Sequence, residues 1–324
     1  MPSARAMLRA PIAVAYWLGA TSKTGETSND VVFRYHGTPR HLAAQLRLQL
    51  RYLRRVFTFV PLPTIVASLG ESKRPGQPRQ AAIIFDDGLR SNVEVAYPVL
   101  RSLGIPATFF VCPGLIEARK WLWTHETRRR LDFAGPHLRS ELAAELKAPA
   151  GVEGFVQWMK QKGLAERARV EAKLRQATAC FVPNESDREA FDLAQWPELR
   201  ALEPSIITIG SHSMTHPILP RLSEPAIEAE LRDSRRMLEA KLHRPVDLFS
   251  YPNGDLDWRT LAGVRRHYRA AIAHNSGMPL DPHMIPSVHL PDGVLRLAWW
   301  VNREAGAAIE PSPRRLIRAG TPAA

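Results

Sequence analysis

The sequence predicts an α/β fold in which parallel strands are joined by helical crossovers. Short apolar runs, such as residues 81–85 and 107–111, alternate with segments whose apolar residues recur at helical spacing. A loop rich in glycine and proline, residues 70–80, precedes the first of these two runs. This alternation is typical of βαβ units, in which the functional residues collect at the carboxyl ends of the strands.

Each predicted element follows from its local pattern. Leucines 42, 46, 50 and 53 recur at helical spacing, and the helix that contains Val95, Val99 and Leu103 is broken by a Gly-Ile-Pro turn at 104–106. In chain order we expect strands at 31–36, 57–60, 81–85, 107–111, 206–209, 246–251 and 270–273, and helices at 39–55, 65–69, 91–103, 224–241 and 258–268.

A helical insertion is expected between the fourth and fifth strands. Residues 117–200 are rich in Ala, Leu, Glu, Lys and Arg and show little β pattern. We therefore divide the chain into an N-terminal extension (1–30), a main domain (31–303) that carries this insertion, and a loose C-terminal tail (304–324). No internal repeat is visible.

Net charge, cysteine count and motif content limit the classes of binding partner that we expect. The net charge is +12, which favours anionic partners but also fits solvated arginine-rich helix faces. Two distant cysteines are too few for a disulfide framework or a cysteine-rich zinc site. No helix-turn-helix, zinc-finger or RNA-binding motif is present, so we expect no nucleic-acid partner.

Two interpretations fit the N-terminal segment. Arg5 and Arg9 precede an apolar stretch, residues 10–20, that has about the length of a signal-peptide core but also fits an interfacial helix. We expect a cytoplasmic location or peripheral membrane association, and secretion stays an alternative. The oligomeric state is not predicted.

Two predicted strand ends carry groups that could do chemistry. Asp86 and Asp87 end the strand at 81–85, and His212 and His216 follow the strand at 206–209. Two histidines four residues apart can direct both imidazoles at one divalent metal, and a carboxylate from another strand end would complete a site with positions left for water or substrate. Adjacent residues at a strand end point in different directions, so one aspartate can bind the metal while the other acts as a base. The alternative for the aspartate pair alone is a turn and helix cap.

In its motifs the sequence resembles the polysaccharide deacetylases, carbohydrate esterase family 4. The resemblance rests on IIFDDG (83–88), GSHSMTHP (210–217) and FSYPNG (249–254) in that order, with Tyr35-His36 and the strand at 107–111. It covers most of residues 31–290. It implies a distorted (β/α) barrel, expected here with seven strands, and the metal-dependent removal of N- or O-acetyl groups from sugars.

The resemblance also implies residue roles. Asp86 would be the general base, and Asp87, His212 and His216 would bind a divalent metal, first of all Zn²⁺. Tyr251 would offer its backbone N–H to the developing oxyanion. Pro252 and Asn253, at the same strand exit, would contact the substrate.

The general acid is less clear from the sequence. Late histidines, His274, His283 and His289, do not match the family's usual Leu-x-His motif, so His36 is our first choice and His289 the second. Many relatives also carry an arginine near Ser287 that orients the base, and this chain has none there. Another arginine could substitute for it, or activity could be weak.

We therefore expect a deacetylase that acts on an amino sugar or polysaccharide, anionic or lipid-linked substrates included, in the making of surface or exported polysaccharide. The alternative is a non-catalytic relative that binds a carbohydrate or lipid-linked sugar and keeps the metal site.

Overall fold

The structure, a computed structural model, describes residues 30–70, 78–274, 281–290, 293, 295–298 and 301. The predicted N-terminal extension, apart from residue 30, and the predicted tail at 304–324 lie outside the described residues.

The described strands form one parallel sheet that curls into a nearly closed barrel. Eight of them follow the order β8-β7-β6-β5-β4-β3-β1-β9, and β2 pairs with β3 off this path. The nine strands are β1 (Val31–Tyr35), β2 (Thr58–Phe59), β3 (Gln80–Phe85), β4 (Ala107–Val111), β5 (Ile207–Ser211), β6 (Leu248–Ser250), β7 (Ala270–Ala273), β8 (Ile285–Pro286) and β9 (Val288–His289).

One short stretch of chain joins the two ends of the sheet. β8 pairs with β7, β9 pairs with β1, and only Ser287 separates β8 from β9. The barrel wall therefore has seven positions, and the last is shared by β8 and β9. The predicted distorted barrel is confirmed.

Helices cover the outside of this wall. They are α1 (Ala43–Leu53), α2 (Leu62–Ala67), α3 (Tyr97–Leu103), α4 (Pro113–Ala118), α5 (Trp123–Leu146), α6 (Val152–Met159), α7 (Leu164–Ala177), α8 (Glu185–Phe191), α9 (Trp196–Arg200), α10 (Glu224–Leu242) and α11 (Trp258–His267). A π-helical turn, Asn92–Ala96, leads into α3. The helices α5 to α9 lie between β4 and β5, within the segment where the sequence predicts a helical insertion.

Side chains alternate between two cores along each strand. Odd positions of β3, such as Ile83 and Phe85, pack outward against the helices. Even positions, such as Ala82 and Ile84, belong to a second cluster with Val32, Phe110, Leu248 and Ile272, which fills the barrel interior. The inward positions at the carboxyl ends of the strands are where polar residues replace this apolar filling, and that end carries the site.

Several element limits and one feature of the barrel differ from the sequence-based expectation. The seam formed by β8 and β9 was not predicted, because two strands of two residues around Pro286 and Ser287 show no measurable periodicity. The predicted strand at 246–251 is shorter and covers Leu248–Ser250. None of the helices in the described ranges is long and apolar enough to cross a membrane.

Candidate active site

A buried cluster of three ligand-type residues lies where β3 and β5 end. The Nε2 atoms of His212 and His216 lie 3.6 and 3.5 Å from Oδ1 of Asp87. The donor atoms of the three residues all lie within 4.8 Å of one another, and all three residues are buried. Two imidazole nitrogens and one carboxylate oxygen at such distances could converge on a single divalent metal.

Backbone geometry turns these side chains toward one another. Asp87, Ser213 and His216 adopt left-handed conformations with φ of 72°, 64° and 55°. Such conformations cost free energy for residues with a Cβ, so other contacts must hold them. The indole Nε1–H of Trp123, at the start of α5, donates to the carbonyl oxygen of His216 at 3.1 Å.

Glu230 on α10 fixes the loop that presents both histidines. Its carboxylate accepts hydrogen bonds from the N–H of Met214 (2.8 Å), the N–H of Thr215 (2.9 Å) and the hydroxyl of Thr215 (2.6 Å). Burial raises the pKa of Glu230 in spite of these bonds. Sequence analysis did not identify Glu230, since it lies in an ordinary amphipathic helix.

The histidine environments suit metal ligation. Nδ1 of His212 lies 2.7 Å from the carbonyl oxygen of Ser250, an arrangement that places the proton on Nδ1 and leaves Nε2 toward Asp87. Burial lowers the pKa of His216 to about 3, so its imidazole is neutral, as a ligand must be. Burial opposes the charge of Asp87, but the nearby imidazoles of His125, His212, His216 and His36 bring its pKa well below the ordinary value.

Asp86 lies beside the ligand cluster but faces the barrel interior. Its N–H donates to the carbonyl oxygen of Tyr35 at 3.1 Å, so the chain still runs along β1 at this point. The side chain is fully buried, and neither carboxylate oxygen has a hydrogen-bond partner among the described residues. A buried carboxylate without partners is costly and is typical of a group held ready for a reaction.

The four candidate histidines for the general acid lie in different environments. The rings of His36 and His289 are 5.6 Å apart at the rim of the barrel. His36 also acts electrostatically on Asp87. His283 is used structurally, with its Nε2 3.0 Å from the carbonyl oxygen of Tyr268. His274 lies inside the barrel mouth near His212, and burial lowers its pKa to about 2.

The prediction for the Tyr251 amide does not agree with the hydrogen bonding. Its N–H donates to the carbonyl oxygen of Ile272 at 3.1 Å, which ties β6 to β7 and leaves no free donor for an oxyanion. The phenol is buried and donates to the carbonyl oxygen of His283. Sequence reasoning missed this because backbone pairing at a strand end depends on register. Pro252 and Asn253 lie in the following 3₁₀ turn, where the buried Nδ2 of Asn253 finds no hydrogen-bond partner among the residues that the structure describes.

His125, from the helical insertion, also reaches the site. Its Nε2 lies 3.6 Å from Oδ2 of Asp87, the oxygen turned away from the other two histidines, and its ring stacks on Phe191 at 4.8 Å. A lone histidine in a helical segment carries no motif, so sequence analysis did not select it.

The class of protein that these features define is a parallel barrel with a buried Asp/His/His cluster next to a second carboxylate, that of Asp86. The family model for polysaccharide deacetylase matches residues 73–148 and 170–271. The chain therefore belongs to the polysaccharide deacetylase family, as its motifs indicated. Its members are hydrolases that act on carbon–nitrogen bonds other than peptide bonds.

Solved structures show the same fold at low sequence identity. IcaB from Ammonifex degensii is 19% identical, with a TM-score of 0.55, over 86% of this chain and 99% of that one. The BpsB deacetylase domain from Bordetella bronchiseptica is 15% identical, with a TM-score of 0.51, over 80% and 95%. The polysaccharide deacetylase BC0361 from Bacillus cereus is 17% identical, with a TM-score of 0.51, over 83% and 67%. A search of curated proteins found no match.

Proposed function

We propose that the protein hydrolyses an N-acetyl, or O-acetyl, group on an amino sugar of a polysaccharide, with a divalent metal held by Asp87, His212 and His216. The observation that carries this proposal is the buried ligand set beside Asp86, a second carboxylate to which no described residue donates a hydrogen bond. Two imidazole nitrogens and one carboxylate oxygen suit Zn²⁺ best, although other divalent transition metals accept the same donors.

The residues divide the proton transfers between them. A divalent ion at these ligands would lower the pKa of water and polarise the acyl carbonyl. Asp86 would take one proton from the attacking water, because neither of its carboxylate oxygens accepts a hydrogen bond from a described residue. His36 would give one proton to the leaving nitrogen, so that acetate and a free amine result.

His36 is favoured over His289 as the acid because His36 acts electrostatically on the Asp87 carboxylate and lowers its pKa. The buried Nδ2 of Asn253, which has no hydrogen-bond partner in the described part of the chain, supports a role for this residue, with Pro252, in holding the sugar. Tyr251 is proposed to shape this turn through its buried ring.

The test is acetate release from N-acetylated oligosaccharides and lipid-linked sugars by the zinc-loaded protein, with Asp86→Asn as the matched control. We expect turnover by the wild type and a loss of at least about 100-fold in the variant. If wild type and variant are equal on a broad panel, the proposal fails. Glycan binding without turnover would favour the non-catalytic alternative.

The charge of +12 supports an anionic polysaccharide or a lipid-linked sugar as the substrate, and peripheral attachment to a membrane, in surface or exported polysaccharide synthesis. Sedimentation with anionic and with neutral vesicles tests the attachment. Binding to anionic vesicles that disappears at high salt is expected, and equal recovery with both kinds would contradict it.

A further inference from the structure

Beside the ligand cluster, the barrel interior contains two further buried groups of opposite charge, Asp86 and Arg34. Arg34 lies on β1, where the residues around it are apolar, and only 7% of its surface is exposed. Its Nη1 donates to the hydroxyl of Ser287 at 3.0 Å, and its Nε has no hydrogen-bond partner in the described part of the chain. A buried guanidinium with one neutral acceptor lacks a counter-charge within hydrogen-bond distance.

The register of the strands brings Arg34 next to Asp86. β1 and β3 are adjacent and parallel, and Arg34 pairs with Ile84. Side chains two residues apart on a strand point to the same face, so Asp86 follows Ile84 on the inward face. Asp86 therefore lies only about 6.6 Å beyond Ile84 along the strand, at a rise of about 3.3 Å per residue. A long arginine side chain spans such a separation.

The two groups also complement each other in charge. Among the described residues, the fully buried Asp86 carboxylate has no hydrogen-bond partner, and the buried Arg34 guanidinium bonds only to a hydroxyl. Burial lowers the pKa of Arg34, and among the charges that raise it again Asp86 comes first, ahead of Asp87. His212 also faces Asp86, but a histidine that binds a metal does so as the neutral imidazole.

We propose that Arg34 is the positioning residue of the active site: its guanidinium supplies the fixed counter-charge that holds the Asp86 carboxylate toward the reacting water. Ser287, at the seam between β8 and β9, orients the guanidinium and in turn donates to the carbonyl oxygen of Ala273. The catalytic part of this inference rests on the proposed function, whereas the coupling between Arg34 and Asp86 does not.

The coupling is measured without any substrate, by a double-mutant cycle on urea unfolding of the zinc-loaded protein with Arg34→Met and Asp86→Asn. We expect Arg34→Met to raise the unfolding constant on the order of 100-fold when Asp86 is present, and less than about 5-fold in the Asp86→Asn background. Equal factors in both backgrounds overturn the proposal. If Arg34→Met does not fold, folding of the double variant supports the coupling and its failure to fold contradicts it.

Kinetics separate a positioning role from a structural one. We expect Arg34→Met to lower kcat on the order of 100-fold with KM and zinc affinity within about twofold, and Arg34→Lys to recover at least about tenfold of the loss. Arg79→Met is the matched control, because Arg79 is a partly buried arginine at the opposite end of the barrel, over the ring of Phe57. Its kcat should not change.

An unchanged kcat in Arg34→Met, or a loss of zinc affinity as large as the loss of kcat, overturns the positioning role. If the wild type shows no turnover at all, the proposed deacetylase function fails, and the unfolding cycle still decides whether Arg34 and Asp86 are coupled.

Discussion

The loop that carries His212 and His216, the two proposed histidine ligands, should depend on Glu230. The carboxylate accepts two backbone N–H groups and one hydroxyl, from Met214 and Thr215. At about 1 kcal/mol net for each hydrogen bond, Glu230→Ala should lower the free energy of unfolding by about 3 kcal/mol. Glu230→Gln should cost about 1 kcal/mol, because the amide oxygen can keep both N–H bonds while the Thr215 hydroxyl reverses its direction.

Metal affinity should follow the same order. Ser213 and His216 hold left-handed conformations that the carboxylate supports, so a released loop must be ordered again on metal binding. We expect Glu230→Ala to weaken zinc affinity by about 10- to 100-fold and Glu230→Gln by less than about 5-fold. Competition with a chelating dye measures these affinities, and urea unfolding measures the stabilities.

The control for this experiment is Glu224→Ala, an exposed glutamate in the first turn of the same helix. It should leave zinc affinity unchanged. If Glu230→Ala binds zinc within twofold of the wild type, or if Glu224→Ala weakens binding as much, the loop does not depend on Glu230 and the reasoning is refuted.

Three further predictions concern the site and its support. Asp87→Ala should abolish tight zinc binding, whereas Asp86→Asn should keep zinc and lose turnover; zinc titration with acetate release checks both, and equal zinc loss in the two variants contradicts the assignment. His36→Ala should lower kcat by about 100-fold and His289→Ala by less than about tenfold, and a reversed order would make His289 the acid. Glu126 binds arginines of the insertion and its pKa is lowered; burial alone would raise it, but these arginines outweigh that effect. Above pH 4.5, Glu126→Gln should therefore lower the free energy of unfolding by about 1 kcal/mol. This loss should disappear as the pH falls through the lowered pKa that Glu126 has in the folded protein. Unfolding curves at pH 7 and pH 3 measure the loss, and an equal loss at both pH values contradicts the prediction.

The barrel could largely be predicted from the sequence because short, continuous apolar runs and helical spacing identify most of its elements. The strands at 107–111 and 270–273 match their predicted limits, since both are fully buried. The seam at 285–289 could not be predicted, because its two strands acquire their pairing only from β1 and β7.

The residues of the candidate site also fall into those that sequence motifs indicate and those that only the folded structure reveals. Asp87, His212 and His216 were found because their spacing within two motifs indicates a common target. Glu230 and His125 contribute single side chains from helices, and only the packing of α5 and α10 against the barrel brings them to the ligands. Arg34 could have been recognised as unusual, because it is a charged residue at an inward-facing position of β1, the strand next to the one that carries Asp86.

The geometry of β3 explains why two adjacent carboxylates can have different roles. In a regular strand Asp86 would continue the inward series of Ala82 and Ile84, and Asp87 would follow Phe85 into the apolar layer beneath the helices. An unpaired charge in that layer would be costly. The chain instead becomes left-handed at Asp87 and Gly88, with φ of 72° and 69°.

This reversal turns the Asp87 carboxylate away from the helix layer and toward His212 and His216, while Asp86 stays inside the barrel. Aspartate tolerates the left-handed region better than most residues, and a Cβ at position 88 would meet the side chain of Val111 at 2.9 Å. The order Asp-Asp-Gly is thus required by the backbone: the first aspartate must still belong to the strand, the second must already belong to the turn, and only glycine fits where the turn crosses β4.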